Sequence, residues 1–384
     1  MRFYQFILKN VLQRKARSAL TMIGVAIAVT AVVALVGIAD GFERSFRELY
    51  ERRGVDLLVV RAGSSEHLSS SVPQQVGEQI RQLPGVRAVS PGLMDVVSFE
   101  QYNANLTSVA LQGWAADSFL FDDLRLISGR RLQAGDENGV MLGMVLARNL
   151  GKTSGDKLEI ANHFFTVAGV FESFNPLESG SAVLLIGTLQ ALMDRPNQVT
   201  GFQIILEDAA DKKALLERVR QEIESLRNAQ GRPWGIAATP TRDYVRSTSQ
   251  IRMAEAMAWM TSIIALVIGA VGVLNTMIMS VFERTREIGI LRAIGWRKTR
   301  VVRLILYESV LLSIAGAAAG IVAAVLLTRA LTWWPLVNGL IRGDVSPQVI
   351  VQGFLIALAV GLIGGAYPAY RGAYLLPTEA LRHE

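Results

Sequence analysis

Charged residues are missing from four long stretches of the chain, and these set its plan. Residues 18–39 lie between Arg17 and Asp40. At about 1.5 Å per residue such a helix reaches roughly 33 Å, enough to cross a hydrocarbon core of about 30 Å. Residues 256–282 repeat the pattern, as do residues 309–328 after an isolated Glu308, and residues 345–370. Four membrane helices are therefore predicted, over 18–39, 256–282, 304–328 and 345–370. The first has a basic start and an Ala26, Ile27, Ala28 tripeptide, as a cleaved leader would, but uncharged residues continue to Ala39, so it reads as an uncleaved anchor.

Between the first two stretches the period changes. Residues 55–60 form a short apolar run, 95–99 alternate, 106–112 are rich in β-branched and apolar side chains, and 157–160 with 164–170 predict a hairpin across Asn162. Helices are predicted at 74–82 and, with stronger amphipathic spacing, at 211–227, where Leu215, Val219, Glu222 and Leu226 step around the helix. Both ends of the segment read as helix continuing from the membrane. Phe42, Phe46, Leu49 and Tyr50 recur at helical spacings, and residues 245–260 contain neither Pro nor Gly. The expected fold class is a membrane α-helical protein with four transmembrane helices and a large extracytoplasmic α+β domain, residues 40–255, on helical stalks.

Composition agrees. Of 384 residues 51% are hydrophobic and 19% charged, whereas soluble chains carry about 25% charged residues. Disorder is excluded as the main state. With no Cys there is no disulfide framework, thiolate nucleophile or thiolate metal site. A net charge of +6 would suggest nucleic acid, but its location argues otherwise. Residues 1–17 carry Arg2, Lys9, Arg14, Lys15 and Arg17 without an acid, and residues 283–303 carry Arg284, Arg286, Arg292, Arg297, Lys298, Arg300 and Arg303 against Glu283 and Glu287. By the positive-inside rule both flanks face the cytoplasm. An even number of spans then returns the C-terminus to that side, with the 329–344 loop outside. Residues 41–255 hold 23 basic and 26 acidic residues, so the positive charge lies on flanks that face anionic lipid, and no nucleic-acid partner is expected.

The outer segment shows no catalytic constellation. His67 and His163 stand apart from any spaced ligand partner, so each reads as a surface or packing residue and no metal is expected. Leu150, Gly151, Lys152 and Thr153 have the form of a P-loop ending, yet the pattern needs Gly where Leu146 stands. Asp122 with Asp123, and Glu207 with Asp208, read as solvated turn acids rather than an acid–base pair. Asn105, Leu106 and Thr107 form a glycosylation acceptor in name only, because it falls within a predicted strand.

The most informative stretch follows the second span, MSVFERTREIGILRAIGWRKTRVVRLILYESVLL, residues 279–312. Arg284, Arg286 and Glu287 open a short helix, Ile288, Ile290, Leu291 and Ile294 give it an apolar side, and Gly295 ends it. Such a helix lies along the membrane surface. Glu283 and Glu287, four apart, would be repelled by anionic lipid and suit a protein partner better. Glu308 is expected to be held near the interface by Arg303 or Arg300, since an unpaired charge at mid-membrane is costly. Small residues four apart, Gly24 and Ala28, Gly316 and Gly320, Gly361 and Gly365, would let helices approach closely, within one chain or between two.

ERTREIGILRAIGWRK resembles the coupling segment of the MacB and FtsX type of ABC transporter permease, which includes the lipoprotein-releasing LolC and LolE subunits. FILKNVLQRKARSALTMIGVAIAV resembles the amphipathic N-terminal helix of that family, here residues 1–17, and its first span, with Phe3, Phe6, Ile7 and Val11 as the interfacial face. GAYPAYRGAYLLPTEALRHE resembles its closing signature, which places Pro377, Glu379, Ala380, Leu381 and Arg382 in a cytoplasmic tail, residues 371–384. The order of one span, a large outer domain and three spans matches as well.

This resemblance implies that two permease chains, a homodimer or a pair with a related permease, associate in the membrane lipid. Each would dock one of two ABC ATPase subunits through residues 283–303. Glu283, Arg284, Arg286, Glu287, Ile288, Gly289, Ile290, Leu291, Arg292, Ala293 and Gly295 would form the coupling contact, and closure of the ATPases would move the stalks and outer domains. The sequence contains no Walker A loop, so a separate ATPase would hold ATP and Mg, and this chain is expected to bind no cofactor and to catalyse nothing. The implied activity is MacB-like export or extraction of an amphiphile on the periplasmic side, with a periplasmic adaptor protein and an outer-membrane channel. The implied place is the bacterial inner membrane, with both termini cytoplasmic. An FtsX-like scaffold relaying ATPase motion to a cell-wall hydrolase is an alternative, although its outer loops are typically shorter. LolC- and LolE-like lipoprotein release is another. A membrane-anchored enzyme is disfavoured, because one span would suffice as an anchor.

Overall fold

The computed structural model of the protein describes residues 15–63, 70–102, 106, 108–173, 175–332 and 344–374. Phe3, Phe6, Ile7, Val11, His67, Asn105, Thr107 and the closing motif of Pro377, Glu379, Ala380, Leu381 and Arg382 lie outside the described residues. The chain forms two units, one built mainly on residues 42–253 and the other on the helical segments before and after them. Helix α1 (Lys15–Arg52) contributes to both.

The first unit is a ten-stranded sheet, ordered β12-β1-β11-β3-β4-β9-β6-β8-β5 with β7 paired to β8, and a separate two-stranded pair of β2 and β10. Its strands are β1 (Leu57–Arg61), β2 (Val72–Pro73), β3 (Val86–Val97), β4 (Val109–Trp114), β5 (Arg125–Gly129) and β6 (Gly139–Gly143). The remainder are β7 (Lys157–Ile160), β8 (His163–Glu172), β9 (Ala182–Leu185), β10 (Gln198–Val199), β11 (Gly201–Leu206) and β12 (Ile236–Pro240). Helices α2 (Val76–Arg81), α3 (Met144–Leu150), α4 (Pro176–Ser179), α5 (Ile186–Leu192), α6 (Lys212–Glu224) and α7 (Thr241–Ser247) complete it. The pairs β4–β9 and β6–β8 are parallel.

Successive residues of the central strands feed two cores. Val140, Leu142, Ala182 and Leu184 join the larger one with Leu111, Phe165 and Val167. Met141, Val183 and Phe171 join a second with Trp114, Leu120, Phe121 and Leu124. Because side chains alternate across a strand, β6 and β9 are buried on both faces. The predicted hairpin is present: Ile160 faces His163 across Ala161 and Asn162, both at positive φ, the type I′ geometry that Asn tolerates. Helix α6 begins at its Asp211 cap, which accepts from the Ala214 amide at 3.0 Å. It ends at Glu224, short of the predicted 227, and it is Ile223 rather than Glu222 that joins Val219 in the core.

Phe42, Phe46 and Tyr50 pack with Val55, Leu58, Tyr244, Val245 and Ile251, and Leu49 is buried beside Tyr50 on α1. Two expectations need correction. Residues 245–260 are not one helix, because α7 closes at Ser247 and α8 (Ser249–Glu283) starts after the extended Thr248. Leu106 lies outside any strand, and its neighbour strand β4 begins at Val109.

In the second unit α1, α8, α10 (Lys298–Thr332) and α11 (Pro347–Ala373) are each long and apolar enough to cross a membrane. Short α9 (Thr285–Ala293) lies between α8 and α10. The close contacts allowed by small residues occur within the chain. A Cβ on Gly316 would lie 2.8 Å from the Val25 Cβ and one on Gly320 3.0 Å from the Val29 Cβ, while Gly361 and Gly365 receive Ser313 and Ser309. The Ser309 hydroxyl donates to the Gly361 carbonyl at 2.6 Å, and the Thr30 hydroxyl to that of Gly320 at 3.0 Å. Gly24, by contrast, has no neighbour within 4 Å of where its Cβ would stand. On α8 the side chains of Met257, Met260, Ile263, Ile264, Val267 and Ile268 are exposed.

Candidate coupling site

Residues 283–303 gather where α8, α9, α10 and α11 end or begin. Helix α9 is terminated by Gly295 at φ 103, where the Trp296 amide donates to the Leu291 carbonyl at 3.1 Å and the Gly295 amide to that of Arg292 at 3.1 Å. Those two bonds make a Schellman motif, which requires a residue without a Cβ penalty at positive φ. One face of α9 is turned inward. Arg284, Ile288 and Gly289 are buried, with Ile288 among Val281, Val301, Ile305, Ala369 and Ala373. The opposite face is open: Ile290 is 44% exposed and Ile294 74%, flanked by exposed Arg286, Glu287 and Ala293. Leu291 and Arg292 sit between the faces, half-buried, and the Arg292 guanidinium donates to the Trp296 carbonyl at 3.0 Å. The apolar residues predicted to share one side thus divide into an inward Ile288 and an outward pair, Ile290 and Ile294, four apart on the helix.

The charges divide in the same way. Glu283 is exposed and pairs with Arg17 of α1. Arg284, only 8% exposed, donates Nε to Glu287 at 2.9 Å and Nη1 to Glu308 of α10 at 3.0 Å. Glu308, expected beside Arg303 or Arg300, is instead paired with Arg284. Glu308 is buried against Arg284, while Arg303 is exposed and Arg300 stacks on the Trp296 ring at 4.3 Å. Lys298 similarly stacks on Tyr374 at 3.8 Å.

In the first unit, Asp123 is not a solvated turn acid. It accepts from Arg53 Nε at 2.9 Å, and Arg53 Nη2 reaches Glu178 at 2.9 Å. Glu178 also accepts from the Ser173 hydroxyl at 2.5 Å, and the guanidinium lies 5.4 Å from the centre of the Trp114 ring. Burial pushes the Glu178 carboxyl above the usual range despite Arg53 beside it. Burial opposes the charge on Arg53, but Glu178 and Asp123 more than offset it and raise its pKa. Asp122 pairs loosely with Arg131 at 3.6 Å. The P-loop-like turn is filled by its own side chain, since Asp156 accepts from the Thr153 amide at 2.7 Å. His163 faces the Ala161 carbonyl, and among the described residues no group of three or more His, Cys, Asp or Glu could hold a metal ion.

Residues 18–225 match the MacB-like periplasmic core domain, and residues 259–377 match the FtsX-like permease C-terminal region. The chain belongs to the MacB/FtsX type of ABC transporter permease. This permease is 28% identical to the macrolide export ATP-binding/permease protein MacB of Bdellovibrio bacteriovorus, over 96% of this chain and 60% of that protein. It is 26% identical to an uncharacterized ABC transporter permease of Methanocaldococcus jannaschii, over 99% of this chain and 97% of that one. It is also 26% identical to the uncharacterized ABC transporter permease YknZ of Bacillus subtilis, over 98% of each. The permease thus spans about three fifths of its MacB relative and nearly all of the other two. Its four apolar helices and its periplasmic core domain make it an inner-membrane protein with an extracytoplasmic domain.

Proposed function

We propose that this permease couples ATP hydrolysis by a separate ABC ATPase subunit to export or extraction of an amphiphile on the outer side of the membrane, and that α9 is the docking helix. What carries the reading is the outward pair Ile290 and Ile294, exposed between charged neighbours on a helix whose other face is already packed. An amphipathic helix presenting residues at i and i+4 fits a groove on a partner. Two copies of the permease would meet in the membrane, and the exposed apolar face of α8 is available to a second chain or to lipid. A periplasmic adaptor and an outer-membrane channel belong to the same reading, in line with the export named for the MacB relative. ATP and Mg would be held by the ATPase.

The test replaces Ile290 and Ile294 together by Asp and compares recovery of the co-expressed ATPase on the tagged permease. Burying two carboxylates in a docking groove should lower recovery by at least about tenfold, with membrane insertion unchanged. Undiminished recovery would refute the docking role. These residues serve better than Gly289, whose buried position would confuse lost docking with disturbed packing.

For orientation, the cytoplasmic placement of residues 283–303 and of both termini is tested in this Cys-free background. A single Cys at exposed Ala210 should react with an impermeant maleimide in spheroplasts and one at exposed Thr299 should not. The reverse labelling pattern would overturn the orientation.

A further inference from the structure

Helices α8 and α9 are joined by one residue. Arg284 stands between Glu283, the last of α8, and Thr285, the first of α9, with φ −106 and ψ 13. A one-residue joint has two soft dihedrals, so the direction of α9 depends on what grips it. The Arg284 carbonyl accepts from the Ile288 amide at 2.9 Å, and its own amide donates to the Val281 carbonyl at 3.2 Å, so its backbone is bonded to both helices. Its guanidinium then reaches Glu287 in the first turn of α9 and Glu308 on α10. A planar guanidinium offers donors in fixed directions, which a flexible ammonium does not. One buried side chain therefore ties α8, α9 and α10 together at the joint.

We propose that Arg284 is a positioning residue: through Glu308 and Glu287 it fixes the angle of α9 on α10, so that force applied at Ile290 and Ile294 is delivered to α10 instead of being lost by swivelling at the joint. The delivery of force rests on the docking role of α9; the fixing of the angle does not. Arg284 is thereby removed from the surface that meets the ATPase. Glu308 acts as its anchor, and burial of both groups keeps water from competing for the pair.

The experiment reads angle and coupling separately. Spin labels at exposed positions 293 and 318, introduced as Ala293→Cys and Ala318→Cys in the Cys-free chain, report the α9–α10 distance in nanodiscs without any ATPase. The native pair should give a narrow distribution, Arg284→Ala a broad one, and the swap Arg284→Glu with Glu308→Arg, made together with Glu287→Gln so that no two carboxylates adjoin, a narrow one again. With the ATPase present, Arg284→Ala should still recover it on the tagged permease, while the permease-dependent change in ATP hydrolysis falls about tenfold, in the range typical of lost coupling between sites. The swap should restore it. Glu308→Gln, which keeps an acceptor in place, serves as the second variant should Arg284→Ala fail to insert, and it too should broaden the distribution. A narrow distribution in the single variants, or a swap that restores neither readout, would overturn the proposal. If the unaltered chain recovers no ATPase, the docking role and the delivery of force fall together, while the spin-label distances still decide whether Arg284 sets the angle.

Discussion

Arg53→Ala is expected to lower the stability of the periplasmic core domain by about 3–5 kcal/mol, the range for removing one partner of a buried ion pair. The side chain is 2% exposed and that of Glu178 3%, and each has been taken out of water on the strength of the other. Removing the guanidinium leaves Glu178 and Asp123 facing one another without a cation, over a cavity beside Trp114. Glu178 would then gain a proton or draw in water, either of which loosens the turn that holds it. In a domain of this size the melting temperature should fall by about 10 °C, measured on the intact permease in detergent by tryptophan fluorescence. The triple replacement Arg53→Met, Asp123→Asn and Glu178→Met should be much milder, since exchanging a whole buried ionic cluster for uncharged side chains is often nearly neutral. A single variant that melts with the native protein would show that the cluster contributes nothing net.

Gly361→Leu should prevent a stable membrane unit from forming. Even a methyl group there would stand 2.8 Å from the Ser313 Cβ, closer than real carbon atoms approach, and a leucine would push α10 and α11 apart along their seam. Separation breaks the bond from Ser309 to the Gly361 carbonyl, and in lipid a freed polar group has no water to replace its partner. Overpacking a tight core costs about 1–3 kcal/mol and sometimes more. The yield of monodisperse protein after extraction should therefore drop sharply, whereas Gly24→Leu, which meets open space, should leave it unchanged. Equal yields would mean that α10 and α11 are held mainly by contacts elsewhere.

The four long helices were legible because burial in lipid demands uninterrupted apolar sequence, a constraint written along the chain itself. The hairpin at Asn162 and the stop at Gly295 were legible for another local reason, the backbone angles that few residues accept. Strands β6 and β9 were not. Gly139–Gly143 and Ala182–Leu185 are buried on both faces, so they lack the alternation that marks a half-buried strand, and they are too short to be told from helix. Partner choice was the least legible. Glu308 was assigned to cations on its own helix, whereas its partner Arg284 is 24 residues away, and Arg53 meets acids 70 and 125 residues distant. Such pairings arise from the assembled fold, and periodicity carries no record of them. Helix α9 was recognisable as an element, but which of its isoleucines face outward depended on what α10 and α11 offer to Ile288.

The position of β1 in the sheet bears on how the protein is made. The strand pairs on one side with β11, Leu57 opposite Ile204, and on the other with β12, Leu58 opposite Thr239. About three quarters of the segment must therefore leave the ribosome and cross the membrane before the earliest strand acquires either neighbour. At about 5–20 residues per second this is a wait of roughly 7–30 s. Through that interval a Leu-Leu-Val-Val sequence has neither edge satisfied. A strand in that condition is an open template for wrong pairing. A slowed ribosome should thus harm folding of this domain before it harms the membrane helices.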